Sequence, residues 1–295
     1  MRISKSKSYS LIYFIQDGYN LPLLPTFLPN ITHLKHYNIL HEWDKKIPRN
    51  VWVAVRNSST ILPHHTHTFM IKNKEWKYYF CGNAEKDYFM NKYFYNTSIL
   101  WAYNALNPHL GTAKSELWRL AILYTYGGMY IDDDADIGTP LNNIVLPTDQ
   151  IIMGKEGGNY TDACYINSYR LSNYSLIQKY GEIQKSTKIF DNKVFFNWCM
   201  FSVPRHELIL KSLEYAVELI KHEYLLTSQI KLEATDHKGK VLMCCTTLPI
   251  YFAAREIEMT NRSNETGLRV GGFFFEEYGT HLINSLVTLT HQFHF

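Results

Sequence analysis

Residues 112–143 constrain the fold of this chain more than any other stretch. They read TAKSELWRLAILYTYGGMYIDDDADIGTPLNN. Thr112 is a candidate helix N-cap, and Glu116 follows in the first turn, where a carboxylate favours the positive end of the helix dipole. Apolar residues then fill nearly every position to 126, and Gly127 and Gly128 suit a C-cap followed by a tight turn. The pattern predicts a buried helix that stops at two glycines and returns into extended chain.

One charged residue breaks the apolar run of this helix. Arg119 stands among residues that a helix would bury on most faces, and Glu116 lies three residues earlier on the same face. Because a buried charge is costly without a partner, we expect Arg119 to serve a purpose inside the protein.

A cluster of acids follows the predicted helix and turn. Residues 129–131 form a short buried strand, and Asp132, Asp133, Asp134 and Asp136 come directly after it. In open α/β sheets the ligand crevice lies outside the carboxyl ends of the strands. Four acids in five positions repel one another unless a cation lies among them. Hard oxygen ligands favour Mg²⁺, Mn²⁺ or Ca²⁺ over zinc, and a site with one or two carboxylates leaves room for phosphates.

Alternation in extended chain predicts that Asp132 and Asp134 point the same way and can share one metal ion. A solvated acidic turn is the simplest alternative. A calcium loop is a second alternative, because the acids stand at spacing 1, 3, 5. It fails at Ile137, where such a loop needs Gly, and at Asn143, where it needs Glu.

The run SELWRLAILYTYGGMYIDDD resembles the signature of glycosyltransferase family 32, in which an Asp-Leu-x-Arg helix, a Tyr-Gly-Gly turn and an Asp-x-Asp follow one another without gaps. The resemblance implies a GT-A-type α/β fold, with a Rossmann-like, mostly parallel central sheet flanked by helices. It also implies metal-dependent transfer of a sugar, with retention, from a nucleotide-diphosphate sugar to a glycan or glycoprotein acceptor.

The same resemblance implies roles for individual residues. Asp134 would hold Mn²⁺ or Mg²⁺, while Asp132 would contact the ion through water or bind ribose and sugar hydroxyls. Arg119 would bind a phosphate or the donor sugar. Glu116 stands where the family has Asp, so it either contacts sugar hydroxyls or holds Arg119. The donor-binding candidates are therefore Glu116, Arg119, Tyr130, Asp132 and Asp133.

Two later segments supply further candidates by resemblance. KVFFNWCMFSV, followed by Pro-Arg-His, resembles the Asn-Trp strand of the eukaryotic branch of the family and contributes Asn197 and His206. Near the end, Gly-Thr-His offers His281 as a third metal ligand beside Asp132 and Asp134. The catalytic candidates are Asp132, Asp134, Arg119 and Asn197.

The remaining chain predicts one decorated domain. With 295 residues and 46% hydrophobic content it can bury a large core. We expect an irregular extension at 1–45 and a single glycosyltransferase domain at 46–295, opening with a strand at 47–55 whose Trp52 belongs to the core. His64, His65 and His67 are expected in a loop. Further strands are predicted at 76–81, 150–153 and 193–203, and further helices at 84–93, 99–106, 207–221 and 246–257.

Composition bears on partners and location. The net charge is +3, from 30 basic and 27 acidic residues, and no long basic run indicates nucleic acid. Seven Asn-x-Ser/Thr sequons, against about three expected from composition, favour the Golgi or secretory lumen. Together with the Asn-Trp strand, they give the chain a resemblance to the initiating α1,6-mannosyltransferases of the yeast Golgi, which implies GDP-mannose as donor, with UDP-hexoses left open. No apolar run of membrane-spanning length exists, so membrane association is expected only through an anchor outside this chain.

Two other functional classes remain. A degenerate glycosyltransferase fold could act as a carbohydrate-binding or scaffolding protein, which the unusual Glu116 and the lack of a carboxyl-terminal Trp favour. A metal-dependent phosphohydrolase could use the same acids, but it would need a second ligand cluster, and the sequence offers none at suitable spacing.

Overall fold

The computed structural model describes residues 46–56, 64–106, 111–156, 194–227, 245–246, 248–259, 268–271 and 280–282. The predicted extension at 1–45 lies outside them. The strands are β1 (Asn50–Ala54), β2 (Lys77–Cys81), β3 (Gly128–Asp132), β4 (Ala135–Ile137), β5 (Ile151–Glu156), β6 (Val194–Ser202), β7 (Leu268–Gly271) and β8 (Thr280–Leu282). The helices are α1 (His64–Lys72), α2 (Asn83–Tyr93), α3 (Ser98–Ala105), α4 (Gly111–Tyr126), α5 (Leu141–Ile144), α6 (Glu207–Thr227) and α7 (Leu248–Met259).

A six-stranded sheet in the order β2-β1-β3-β6-β5-β7 organises the described residues. β2, β1 and β3 are parallel neighbours, and β5 and β7 are parallel as well. β6 is antiparallel to both β3 and β5, so it is the one strand of this sheet that opposes the rest. The mixed α/β class and the mostly parallel sheet predicted from the sequence are confirmed.

Helices cover both faces of this sheet. Tyr130 of β3 faces a large core shared with α2, α3, α4, α6 and α7. Its strand neighbours Met129 and Ile131 face a second core, shared with Phe69 of α1 and Leu141 of α5. This alternation follows from the period of two in a strand, and it places Tyr130 and Asp132 on the α4 side.

The two glycines after α4 are required by the backbone. Gly127 and Gly128 have φ of +62° and +98°, in the region that side chains disfavour. A Cβ on Gly127 would lie 2.7 Å from the carbonyl oxygen of Ser202, and one on Gly128 would lie 2.5 Å from that of Asn50. The Gly127 N–H also bonds the Leu123 carbonyl at 2.9 Å, which closes the helix. The predicted stop at two glycines is confirmed.

Two sequence expectations were wrong in local detail, and one strand beside the acids was not predicted. The residues around His64 and His67 form helix α1 and not a loop, because Phe69 is buried against the second core and this packing outweighs weak helix propensity. α4 begins at Gly111, which places Thr112 inside the helix. Strand β4 was not predicted; it follows the acids and pairs with β8. Across the described residues, no helix has the length and apolar character needed to cross a bilayer.

Candidate active site

The carboxyl ends of three parallel strands meet at one edge of the sheet. Ala54 ends β1 and is in register with Cys81 of β2 and Asp132 of β3. Antiparallel β6 pairs Cys199 with Ile131, so Asn197, two residues earlier, lies at this same edge. In open α/β sheets this edge carries the ligand crevice.

Arg119 of α4 is the centre of a buried polar cluster at this edge. One Nη lies 2.7 Å from a carboxylate oxygen of Glu116 and 3.3 Å from one of Asp132. The other Nη donates to the Asn197 carbonyl at 2.5 Å. The guanidinium lies 4.4 Å from the ring centre of Tyr130, whose hydroxyl donates to Asp132 at 2.6 Å. We call Glu116, Arg119, Tyr130, Asp132 and Asn197 the guanidinium cluster.

Glu116 is fully engaged by the protein. Its Oε1 accepts from Arg119, and its Oε2 accepts from the Asn197 side-chain amide at 2.6 Å. The Glu116 backbone carbonyl accepts from the Thr246 hydroxyl at 2.9 Å, which ties α4 to the residues before α7. With 6% of its surface exposed, Glu116 holds Arg119 and Asn197 in place. These contacts are the ones that the second of the two predicted roles, holding Arg119, requires.

An irregularity in β6 directs Asn197 at α4. Met153 of β5 pairs with Met200, whereas Lys155 pairs with Phe195, so residues 196–199 stand opposite a single residue of β5. Such a bulge breaks the alternation of side chains and re-aims one of them. The Asn197 amide thereby reaches Glu116, 81 residues away in sequence.

Burial shifts the pKa values of the cluster. Desolvation raises the pKa of Glu116, against the opposing effect of Arg119. Desolvation also raises the pKa of Asp132, while Arg119 and the Tyr130 hydroxyl oppose it. Asp132 keeps 29% of its side-chain surface exposed, which limits this burial effect. Burial acts to lower the pKa of Arg119, but Asp132 and Glu116 outweigh it and raise the pKa, so the guanidinium stays charged.

The other acids lie in a turn. Asp133 and Asp134 connect β3 to β4 in a turn, so the chain is not extended there. The prediction that alternation points Asp132 and Asp134 the same way is therefore wrong in its premise. Asp133 is exposed and Asp134 is partly exposed. Within the described part of the chain, no three His, Cys, Asp or Glu side chains are grouped as a metal site. Carboxylates at Asp132 and Asp134 fit a divalent ion that takes its other ligands from water and phosphate.

Backbone pairing brings His281 to the acidic turn. In the two-stranded sheet of β4 and β8, His281 is the register partner of Asp136, two residues after Asp134. The ladder therefore begins one residue after Asp134, and the backbone of the other predicted metal candidate, His281, lies in it, although 147 positions separate the two in sequence.

Two residues considered from the sequence lie elsewhere. His206 follows the carboxyl end of β6, at the opposite edge of the sheet, because β6 is antiparallel. Its Nδ1 accepts from the Leu208 N–H at 3.1 Å, which caps α6. Trp52 is buried at the centre of β1, where it stacks on Tyr79 with ring centres 4.4 Å apart.

Sequence reasoning missed Lys86. It lies in the first turn of α2, just after the carboxyl end of β2, and only 2% of its surface is exposed. Its ammonium donates to the Ser115 hydroxyl, 2.7 Å away, one turn before Arg119 on α4. In the sequence it stands in the polar run NAEKDY, which gives no signal of burial.

Comparison with known proteins identifies one family model that matches residues 59–150, described as a glycosyltransferase sugar-binding region containing a DXD motif. The match includes α4, the two glycines and the acids, and it supports glycosyltransferase activity, the enzyme class predicted from the sequence. It covers about a third of the chain and ends before Asn197. No curated protein matches the sequence.

Two solved structures are similar to this chain at low identity. One is the PaToxG glycosyltransferase, at 12% identity and a TM-score of 0.41, with 75% of this chain and 73% of that chain covered. The other is the ligand-free glycosyltransferase domain from the YGT toxin, at 13% identity and a TM-score of 0.32, with 65% and 52% covered. At these values, the functions of those two proteins do not transfer to this chain.

Proposed function

We propose that this protein is a GT-A-type glycosyltransferase of family 32 that moves a hexose from a nucleotide-diphosphate sugar to a glycan acceptor. One observation carries the proposal. Arg119 is fixed by Glu116, Asp132 and Asn197, yet its Nε–H has no hydrogen-bond partner among the described residues. A buried donor left unsatisfied costs about 1–3 kcal/mol, and a phosphate or sugar oxygen would remove that cost.

The guanidinium cluster would orient the donor and stabilise negative charge. The Arg119 fork is preorganised, because the Glu116 carboxylate and the Asn197 carbonyl restrain it before substrate arrives. A fixed cation next to the departing diphosphate stabilises the charge that develops there as the glycosidic bond breaks. Tyr130 holds Asp132 by its hydroxyl, whose pKa burial raises, so it remains a neutral donor.

Asp134 and Asp132 would hold a divalent ion, with His281 as a further candidate ligand. When bound, Mn²⁺ or Mg²⁺ supplies Lewis-acid stabilisation of the diphosphate. Donor binding is assigned to Glu116, Arg119, Tyr130, Asp132 and Asp133, where Glu116 acts through Arg119 and Asn197.

The finer assignments follow from the sequence resemblance. We propose mannose, from GDP-mannose, as the transferred sugar and retention as the stereochemical course, with UDP-hexoses as the competing donors. The seven sequons support a location in the Golgi or secretory lumen. A glycan or glycoprotein would then be the acceptor.

The test is nucleotide release from a panel of GDP-mannose, UDP-glucose, UDP-galactose and UDP-N-acetylglucosamine, with Mn²⁺ or with EDTA. We expect one donor to release its nucleotide in the presence of Mn²⁺ and none to do so with EDTA. The rate of release should fall about 100-fold or more in Asp134→Ala, since metal catalysis supplies several kcal/mol. Asp134 is partly exposed, so the melting temperature should change little.

Glu75→Ala is the matched control. This exposed acid precedes β2, at the opposite edge of the sheet from the acidic turn, and its removal should leave turnover unchanged. Undiminished turnover in Asp134→Ala would refute the catalytic assignment. Donor binding without any turnover in the wild type would instead favour the carbohydrate-binding alternative.

A further inference from the structure

A buried lysine lies beside the guanidinium cluster and has no role in the mechanism above. Lys86 is in the first turn of α2, which begins two residues after Cys81 ends β2. Cys81 is in register with Ala54, and Ala54 with Asp132, so the lysine belongs to the sheet edge that carries the candidate site. It lies on the β2 side of that edge, whereas Arg119 lies on the β3 and β6 side.

The surroundings of Lys86 supply little to balance its charge. Its Nζ donates to the Ser115 hydroxyl, which in turn donates to the Gly111 carbonyl at 2.8 Å. Among the described residues, no carboxylate lies within ion-pair distance of this ammonium. The thiol of Cys81 is nearby, but burial raises its pKa and keeps it neutral. One neutral hydroxyl is therefore the only hydrogen-bond partner that these residues give it, and the carboxylates of Asp87 and Asp133 attract it only at longer range.

An ammonium in this position is costly to the ligand-free protein. Burial lowers the pKa of Lys86 and is the largest effect on it. The charges of Asp87 and Asp133 oppose this shift, whereas the charge of Arg119 adds to it, and the net direction is downward. Buried charges in proteins are normally paired, and a buried lysine without a counter-charge destabilises the fold. An anion arriving with the substrate would supply the missing partner.

We propose that Lys86 binds a phosphate oxygen of the nucleoside diphosphate and so acts as a second cationic contact for the donor. This inference rests on the proposed function, because it assigns Lys86 to the same donor. The two cations would then differ in their counter-charges: carboxylates of the protein hold Arg119, and the phosphate of the ligand would pair with Lys86. The alternative is a purely structural role, in which Lys86 joins α2 to α4 through its hydrogen bond to Ser115.

The test combines nucleotide affinity with the stability of the ligand-free protein. Calorimetric titration would give the affinity of the full chain for GDP and UDP with Mn²⁺, and for guanosine and uridine. The variants are Lys86→Met, which keeps the apolar volume, and Lys86→Arg, which keeps the charge. Lys92→Met is the matched control, since Lys92 is an exposed lysine on the same helix.

We expect Lys86→Met to weaken binding of the nucleoside diphosphate about tenfold or more, as the loss of a charged hydrogen bond requires, and to spare nucleoside binding. Lys86→Arg should recover part of the affinity, and Lys92→Met should match the wild type. The melting temperature of ligand-free Lys86→Met should equal or exceed that of the wild type, because an unbalanced buried charge is gone.

Each other outcome overturns the inference. Unchanged affinity in Lys86→Met would show that Lys86 does not contact the phosphate. An equal loss of affinity for the nucleoside and the nucleoside diphosphate would place the contact at the base or ribose instead. A fall in melting temperature beyond that of Lys92→Met identifies a structural link. If the wild type binds neither nucleotide, the proposed function itself fails, which is a distinct result from failure in the variant alone.

Discussion

Arg119 and Lys86 are two buried cations at the same sheet edge, and they are treated in opposite ways by the protein around them. Each exposes 2% of its surface. Arg119 is in contact with two carboxylates, a backbone carbonyl and an aromatic ring. Among the described residues, Lys86 has one hydrogen-bond partner, the Ser115 hydroxyl, and the carboxylates of Asp87 and Asp133 attract it only at longer range. The contrast indicates that the protein supplies the direct counter-charges of Arg119, whereas an anionic ligand would supply that of Lys86.

The chemistry of the two side chains suits this division. A guanidinium is planar and always charged, and its fork can satisfy several acceptors at once, as Glu116, Asp132 and Asn197 require. An ammonium is a point charge on a flexible stem, and its pKa changes readily on burial. A fixed scaffold is therefore best built on arginine, and lysine can adapt to a phosphate.

Removing Arg119 should have the largest effect. Arg119→Met leaves Glu116 and Asp132 without their cation, and breaking a buried ion pair in this way costs about 3–5 kcal/mol. Urea unfolding monitored by tryptophan fluorescence measures the loss, with Lys86→Met as the contrasting variant. Equal stability losses in the two variants would remove the distinction between a balanced and an unbalanced cation.

Glu116 gives a smaller effect that depends on pH. Its pKa is raised above the ordinary carboxyl value, so between those two values the folded protein binds more protons than the unfolded chain. Stability from this group therefore falls as the pH rises through that window, by at most about 1.4 kcal/mol per pH unit. Glu116→Gln lacks the titrating proton, so its stability relative to the wild type should improve as the pH rises.

Unfolding free energies of both proteins from pH 4.5 to 8 check this prediction. Asp132 titrates in both proteins, so its contribution cancels in the difference as long as its pKa is the same. A difference that moves in favour of the wild type as the pH rises would mean that Arg119 lowers the pKa of Glu116 and outweighs burial.

The sequence predicted the elements that local rules govern. The hydrophobic pattern of one stretch predicts both α4 and the strand that leads to Asp132. The stop at Gly127 and Gly128 follows from C-capping and from the positive φ that both residues adopt. The pairing of Glu116 with Arg119 follows equally from their spacing of three. These features needed no knowledge of distant contacts.

The sequence could not predict what depends on distant partners. The Asn197 amide reaches Glu116 through a bulge in β6, which is set by the pairing of β6 with β5. Burial of Lys86 arises from packing of α2 on α4, and its polar neighbours in sequence hide it. The helix around His67 likewise depends on the burial of Phe69. In each case tertiary contacts determine the local structure, and the local sequence pattern gives either no signal or a wrong one.

Ser115 is the one hydrogen-bond partner of Lys86 among the described residues, and removing it should have the smallest effect of these changes. Ser115→Ala removes the 2.7 Å bond from Lys86, and a bond of this kind contributes about 0.5–1.5 kcal/mol to stability. The change also removes the bond from Ser115 to the Gly111 carbonyl, but it does so in either background. In the Lys86→Met background that bond should be the whole cost, because no ammonium remains to be paired, so a double-mutant cycle by urea unfolding should give a coupling of about 1 kcal/mol. Coupling as large as the whole effect of Arg119→Met would show that the protein itself balances Lys86, and the two cations would then differ only in geometry.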